Sequence, residues 1–259
     1  MIDTIYRLKE FLSYQQRAQT KYYIHSPFVY QFYLNVLQGS PTPMFQNIKA
    51  LHNMLHQNYN KISINDMGAV PGTKQKTVAQ MATKASIPHK YGCVLFNILQ
   101  YYTPQNVIEL GTCLGLGTAY MALANAAAKI ITIEGAESLS ILAKQNFEQL
   151  TLKNIEQVTG NFDEKLPLIL NRIDTIDLAF IDGNHRYEPT IRYFNLLMEN
   201  THENSILIFD DIYWSREMAQ AWQQIKKDNR VTLSIDLYRL GIVFFHKDKL
   251  AKEDFTLRF

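Results

Sequence analysis

The spacing of apolar side chains changes near Tyr91. Before it they recur at helical intervals. Ile2, Ile5, Leu8, Phe11 and Leu12 mark a first amphipathic helix. Ser26-Pro27 reads as a cap followed by a first-turn proline, and FVYQFYLNVL continues a helix toward Gly39. The stretch SPTP (40–43) breaks it, and Phe45, Ile48, Leu51, Leu55 and Tyr59 then share one face of another helix. NDMGAVPGT (65–73) predicts a loop, and residues 74–86 a more polar helix.

After Tyr91, short β-rich runs alternate with helical stretches. The strands expected are NVIEL (106–110), KIITIE (129–134), IEQVT (155–159), IDLAFI (176–181) and SILIFD (205–210). Helical patterns separate them near 114–127, 137–150, 163–172, 188–200 and 214–228. Continuously apolar strands alternating with helices imply a parallel sheet covered on both faces. VTLSIDLY and GIVFFHK, joined by a short turn around Arg239-Leu240, predict a terminal antiparallel hairpin. The expected fold is therefore α/β: a Rossmann-like, doubly wound, mostly parallel seven-stranded sheet ending in that hairpin. A helical extension over 1–88 precedes the domain at 89–259.

In such sheets ligands bind at the carboxyl ends of strands. Three polar strand ends stand out: the glycine turn at 111–117, FIDGNH and IFDDIYW. In VIELGTCLGLGTAY, Gly111 permits a sharp turn, and Thr112 to Gly117 offer helix N-terminal N–H groups. A dinucleotide fingerprint needs G-x-G-x-x-G directly at the strand end; here Thr and Cys follow Gly111, and the GLG comes late, which disfavours NAD and FAD. Glu134, closing the next strand, is the acidic residue expected to hold both ribose hydroxyls.

These features in order resemble the class I S-adenosylmethionine-dependent methyltransferases: E-x-G-x-x-x-G (109–115), an acidic end to the second strand, GNF (160–162), IDGNH and FDDIYW. More narrowly they resemble the metal-dependent O-methyltransferases of the catechol, caffeoyl-coenzyme A and antibiotic-sugar types, over about residues 90–246. The resemblance implies a cofactor site in which Glu109, Gly111, Thr112, Gly115 and Gly117 shape the methionine pocket. It further implies that Glu134 binds the ribose, Asn161 and Phe162 flank the adenine, and Asp182 lies near both the methionine end and a metal.

Asp182, Asp210 and Asp211 would converge from neighbouring strand ends, and three carboxylates need compensation from protons, basic side chains or a cation. Their hard oxygens suit Mg²⁺ or Mn²⁺. Catechol-type enzymes usually carry Asn at the last of these positions; Asp211 stands there as in the sugar enzymes, which weakens a catechol acceptor. A metal would activate the acceptor hydroxyl, and His185 or Asp182 would take its proton. The leading expectation is O-methylation of a small hydroxylated acceptor. An RNA methyltransferase and a catalytically silent cofactor-binding module are the alternatives.

Composition adds three points. Residues 1–90 carry ten Lys/Arg against three Asp/Glu and the remainder sixteen against twenty-one, so a net charge of +2 hides a basic first third. That basic third motivates the RNA reading, yet the strand-four motif IDGN lacks the Asn/Asp-Pro-Pro-aromatic pattern of base methylation, which disfavours nucleic acid. Two cysteines without a CxxC pattern point to a reduced, cytoplasmic setting, no apolar run reaches membrane length, and the apolar faces within 1–88 predict packing on the domain or a homodimer through those helices.

Overall fold

A computed structural model describes residues 2–39, 44–66, 72–247 and 251–259. The SPTP break and most of the 65–73 loop lie outside the described residues, as does the side chain of Ile2. The helices are α1 (Ile2–Arg17), α2 (Pro27–Phe32), α3 (Phe45–His56), α4 (Val78–Lys84), α5 (His89–Tyr102), α6 (Leu116–Ala124), α7 (Glu137–Gln149), α8 (Phe162–Leu170), α9 (Tyr187–Met198) and α10 (Arg216–Lys227). The strands are β1 (Lys61–Asp66), β2 (Gly72–Thr77), β3 (Asn106–Leu110), β4 (Lys129–Glu134), β5 (Ile155–Thr159), β6 (Ile176–Ile181), β7 (Thr201–Phe209), β8 (Leu233–Asp236), β9 (Gly241–Phe244) and β10 (Glu253–Thr256).

Apolar runs without polar alternation become strands buried on both faces. In β4 every residue after Lys129 is buried, and in β6 only Asp177 is not. The fold is α/β with a mostly parallel main sheet, of eight described strands where seven are expected. The added strand is β10, a short polar run that pairs parallel with β8. Phe255 supplies its buried anchor, 2% exposed.

The chain forms two compact units. One comprises Met1–Tyr33 and Leu170–Phe259, the other Leu34–Ile169; the boundary expected at 88/89 falls inside the second. In the first unit the strand order is β10-β8-β9-β7-β6. The hairpin expected near Arg239 is present: β9 runs antiparallel to both β8 and β7. Helix α10 buries Met218, Ala221, Trp222 and Ile225, one face at helical spacing. Helix α1 belongs to this unit. Its Tyr14, 1% exposed, donates its hydroxyl hydrogen to the Leu257 carbonyl at 2.5 Å, and Phe11 meets the Tyr238 ring edge-on at 5.1 Å.

In the second unit β3, β4 and β5 run parallel in that order. The helix expected over 74–86 begins only at Val78, because Gly72–Thr77 pairs with β1 as a hairpin. A reciprocal cap sets the start of α4: Thr77 Oγ1 accepts the Gln80 N–H at 3.1 Å, and Gln80 Oε1 accepts the Thr77 N–H at 2.9 Å. Helix α5, absent from the sequence reading, buries Val94, Leu95, Ile98 and Leu99.

Candidate active site

In the second unit the glycine turn is built from below. Glu109 is 1% exposed, and its Oε2 accepts hydrogen bonds from the Thr118 hydroxyl and from Thr132 Oγ1, the latter at 2.6 Å. Burial pushes its carboxyl up to about 7, against the pull of those two hydroxyls. Glu109 thus ties the start of α6 to β3 and β4 and shapes the turn. Gly111, at φ +104°, makes the sharp turn expected of it. Gly115 takes φ +79° as the residue before α6, and a Cβ there would lie 2.4 Å from the Phe147 ring of α7. Gly117 falls in the first turn of α6, where N–H groups have no partner within the helix.

Thr112 is a correction to the expected N–H cradle. Its side chain is buried, its hydroxyl lies 2.5 Å from that of Thr132, and its N–H points to the Ile133 carbonyl at 3.3 Å. It braces the strand ends and has no N–H left for a ligand.

Glu134 ends β4 with both oxygens held. Oε2 accepts the Cys113 N–H at 2.7 Å and Oε1 the Ala136 N–H at 2.9 Å. These two N–H donors fix the orientation of the carboxylate at the strand end. Cys113, at φ +50°, was missed by sequence reasoning; only its place three residues after the strand could have flagged it. Asn161 starts α8: its Oδ1 accepts the Asp163 N–H at 2.9 Å, and its carbonyl accepts from Glu164 and Lys165. Phe162, half-buried, is the first residue of that helix.

In the first unit the three expected carboxylates come together. Asp210 is completely buried, and its N–H bonds the Ile181 carbonyl at 2.9 Å, which aligns the ends of β6 and β7. Burial and the charges of Asp210 and Asp211 hold the Asp182 carboxyl well above the usual range. Asp211, at φ +54°, is raised in the same direction, first by burial and then by Asp210. His185 Nε2 lies 3.6 Å from Asp182 Oδ1, so the two expected proton acceptors are neighbours. Asn184 turns away, its Nδ2 donating to the Tyr193 hydroxyl at 3.3 Å and its Oδ1 accepting from Arg186 Nε at 2.9 Å.

Sequence reasoning did not find Arg239. Its guanidinium forks onto Asp210, Nε to Oδ1 at 2.8 Å and Nη2 to Oδ2 at 2.6 Å, and Nε lies 3.6 Å from Asp211 Oδ1. That arrangement corrects the expected metal set of Asp182, Asp210 and Asp211. Among the described residues no group of three or more His, Cys, Asp or Glu side chains is arranged to hold a metal ion. Both Asp210 oxygens already serve a guanidinium. Mg²⁺ or Mn²⁺ does not fit the three carboxylates as they stand.

A doubly wound sheet, a glycine turn at the end of its first parallel strand and an acidic residue ending the second are the arrangement that the class I S-adenosylmethionine-dependent methyltransferases also have, and the comparisons point the same way. Residues 108–212 match the family described as a methyltransferase domain. Catechol O-methyltransferase B of Danio rerio is 30% identical over 129 residues, 47% of each chain, so the match spans about half the length of that relative. An uncharacterised protein of Acanthamoeba polyphaga mimivirus is 28% identical over 154 residues, 54% of this chain and 68% of the other. Among solved structures, the Bacillus cereus O-methyltransferase in complex with S-adenosylhomocysteine superposes with a TM-score of 0.58 at 17% identity, over 84% of this chain and 97% of the other, which establishes a common fold.

Proposed function

We propose that this chain is a class I methyltransferase that carries the methyl group of S-adenosylmethionine to a hydroxyl oxygen of a small acceptor. The observation that carries the reading is Glu134, held at the end of β4 beside the glycine turn by the Cys113 and Ala136 N–H groups, where an acidic side chain suits ribose hydroxyls. In the transfer, the acceptor oxygen attacks the sulfonium methyl carbon, the sulfur–carbon bond breaks, and S-adenosylhomocysteine leaves as a neutral thioether. The hydroxyl proton passes to the His185–Asp182 pair. The divalent cation that the resemblance implies has no part in these steps, because Arg239 already holds Asp210.

Trp214, 47% exposed, with the Arg7 guanidinium 4.2 Å from its ring centroid, supplies an aromatic and cationic wall on the acceptor side, to which α1 contributes. The same helix leaves Ile5, Leu8 and Leu12 more than half exposed, and in this reading two copies of the chain meet along that stripe. A cytoplasmic setting, with neither Cys93 nor Cys113 in a disulfide, completes the reading.

The test is S-adenosylhomocysteine formation with a panel of catechols, vicinal-diol sugars and RNA oligonucleotides. Turnover on a small hydroxylated compound is expected, and methyl incorporation into RNA alone would contradict the proposal.

A further inference from the structure

We propose that Arg239 is the resident cation of the acidic cluster: a positioning residue that clamps Asp210 and takes the place a divalent metal would otherwise occupy. The inference deepens the O-methyltransferase reading of the same residues, and its decisive readout needs no acceptor.

The geometry is specific. Arg239 sits in the hairpin turn between β8 and β9, and its carbonyl accepts the Ile212 N–H at 3.2 Å, so the turn is fastened to the segment following Asp211. From there the guanidinium reaches Asp210 with two parallel bonds, at 2.8 and 2.6 Å. This planar fork uses the carboxylate oxygens that a metal would need, and it carries a charge that cannot be titrated away in a protein. Asp210 has no exposed surface, so its charge must be met inside the protein, and Arg239 is the cation that meets it. Asp211 is faced by Arg239 and Arg7, so the charge of the cluster is met by basic side chains. A lysine could not replace the fork, because a single ammonium does not span both oxygens.

The consequence is that Asp210 holds the ends of β6 and β7 in register, while Asp182 and His185 are left to handle the proton. Hydroxyl activation then rests on that pair and on the orientation of the acceptor, and transfer proceeds without added divalent metal.

The experiment is an electron paramagnetic resonance titration of the full-length protein with Mn²⁺, repeated on Asp210→Asn and Arg239→Gln. The wild type is expected to leave the free Mn²⁺ signal undiminished. Any Mn²⁺ binding that Asp210→Asn leaves unchanged lies elsewhere, and also agrees with the proposal. Arg239→Gln, which frees the Asp210 oxygens, is expected to gain a Mn²⁺ site. Wild-type binding abolished by Asp210→Asn would overturn the proposal, as would a folded Arg239→Gln that gains no site. If Arg239→Gln does not fold, the wild-type and Asp210→Asn titrations decide the matter. In the activity arm, turnover in excess EDTA should equal that without it, and a drop restored by Mn²⁺ would contradict the proposal. Absence of turnover under every condition would instead count against the methyltransferase reading and leave the Mn²⁺ result standing.

Discussion

At the scale of single residues, the two acids flanking the glycine turn behave differently because their surroundings differ. Glu109 is sealed under the turn with its carboxyl raised to about 7, whereas Glu134 is oriented by two N–H donors. A raised carboxyl favours the protonated folded state. Its contribution to stability is present in full below the ordinary value near 4.5 and is lost as pH rises to about 7. Glu109→Gln removes that dependence, so the variant should gain on the wild type by a few kcal/mol at most between pH 5 and pH 8, each shifted unit being worth about 1.4 kcal/mol. Melting curves at both pH values check this, and a constant difference between the two proteins would show that Glu109 ionises normally. His185→Gln keeps a hydrogen-bonding side chain without basicity and should lower the transfer rate about 10²–10⁴-fold; a rate within a few-fold of wild type would leave Asp182 as the sole proton acceptor. Glu134 could be read from sequence because one strand end, at a fixed distance from a glycine turn, has few other uses. Arg239 could not: its partner is 29 residues away in the chain, and only the folded hairpin brings them together.

At the scale of elements, legibility followed burial. Strands β3, β4, β6 and β7 carry mostly apolar, mostly buried runs and were found within a few residues of their ends. Strand β10 has only Phe255 to mark it, and β2, GTKQKT, has no buried side chain at all, so neither shows a hydrophobic period. Backbone pairing to β8 and β1 decides them instead. The thirteen residues of α7 meet the turn through Phe147, which lies against Gly115. Gly115→Ala would place a Cβ 2.4 Å from that ring at φ +79°. It should cost about 1–3 kcal/mol of stability through strain and overpacking, and should weaken cofactor binding as the start of α6 shifts. Unfolding in urea together with calorimetry would show both effects, and an unchanged variant would mean that α7 yields freely.

For the molecule as a whole, the basic first third does not act as a block: residues 2–33 belong to one compact unit with the C-terminal strands, and residues 34–90 to the other. Charge asymmetry along a chain thus says little about which segments pack together, since packing follows buried apolar faces rather than net charge. Among the described residues no helix is long and apolar enough to cross a membrane. The exposed Ile5, Leu8 and Leu12 stripe carries the proposed self-association, and Leu8→Glu should turn a dimer into a monomer in analytical ultracentrifugation; a wild-type monomer would remove that role from α1. The central claim is that the glycine turn and Glu134 form an S-adenosylmethionine site. Isothermal calorimetry with S-adenosylhomocysteine tests it most directly. The wild type should bind at one site, and Glu134→Ala should lose about 1.5–3 kcal/mol, the worth of hydrogen bonds to a charged group, or roughly 10- to 150-fold in affinity. No binding by the wild type, or equal affinity in a folded Glu134→Ala, would contradict the account.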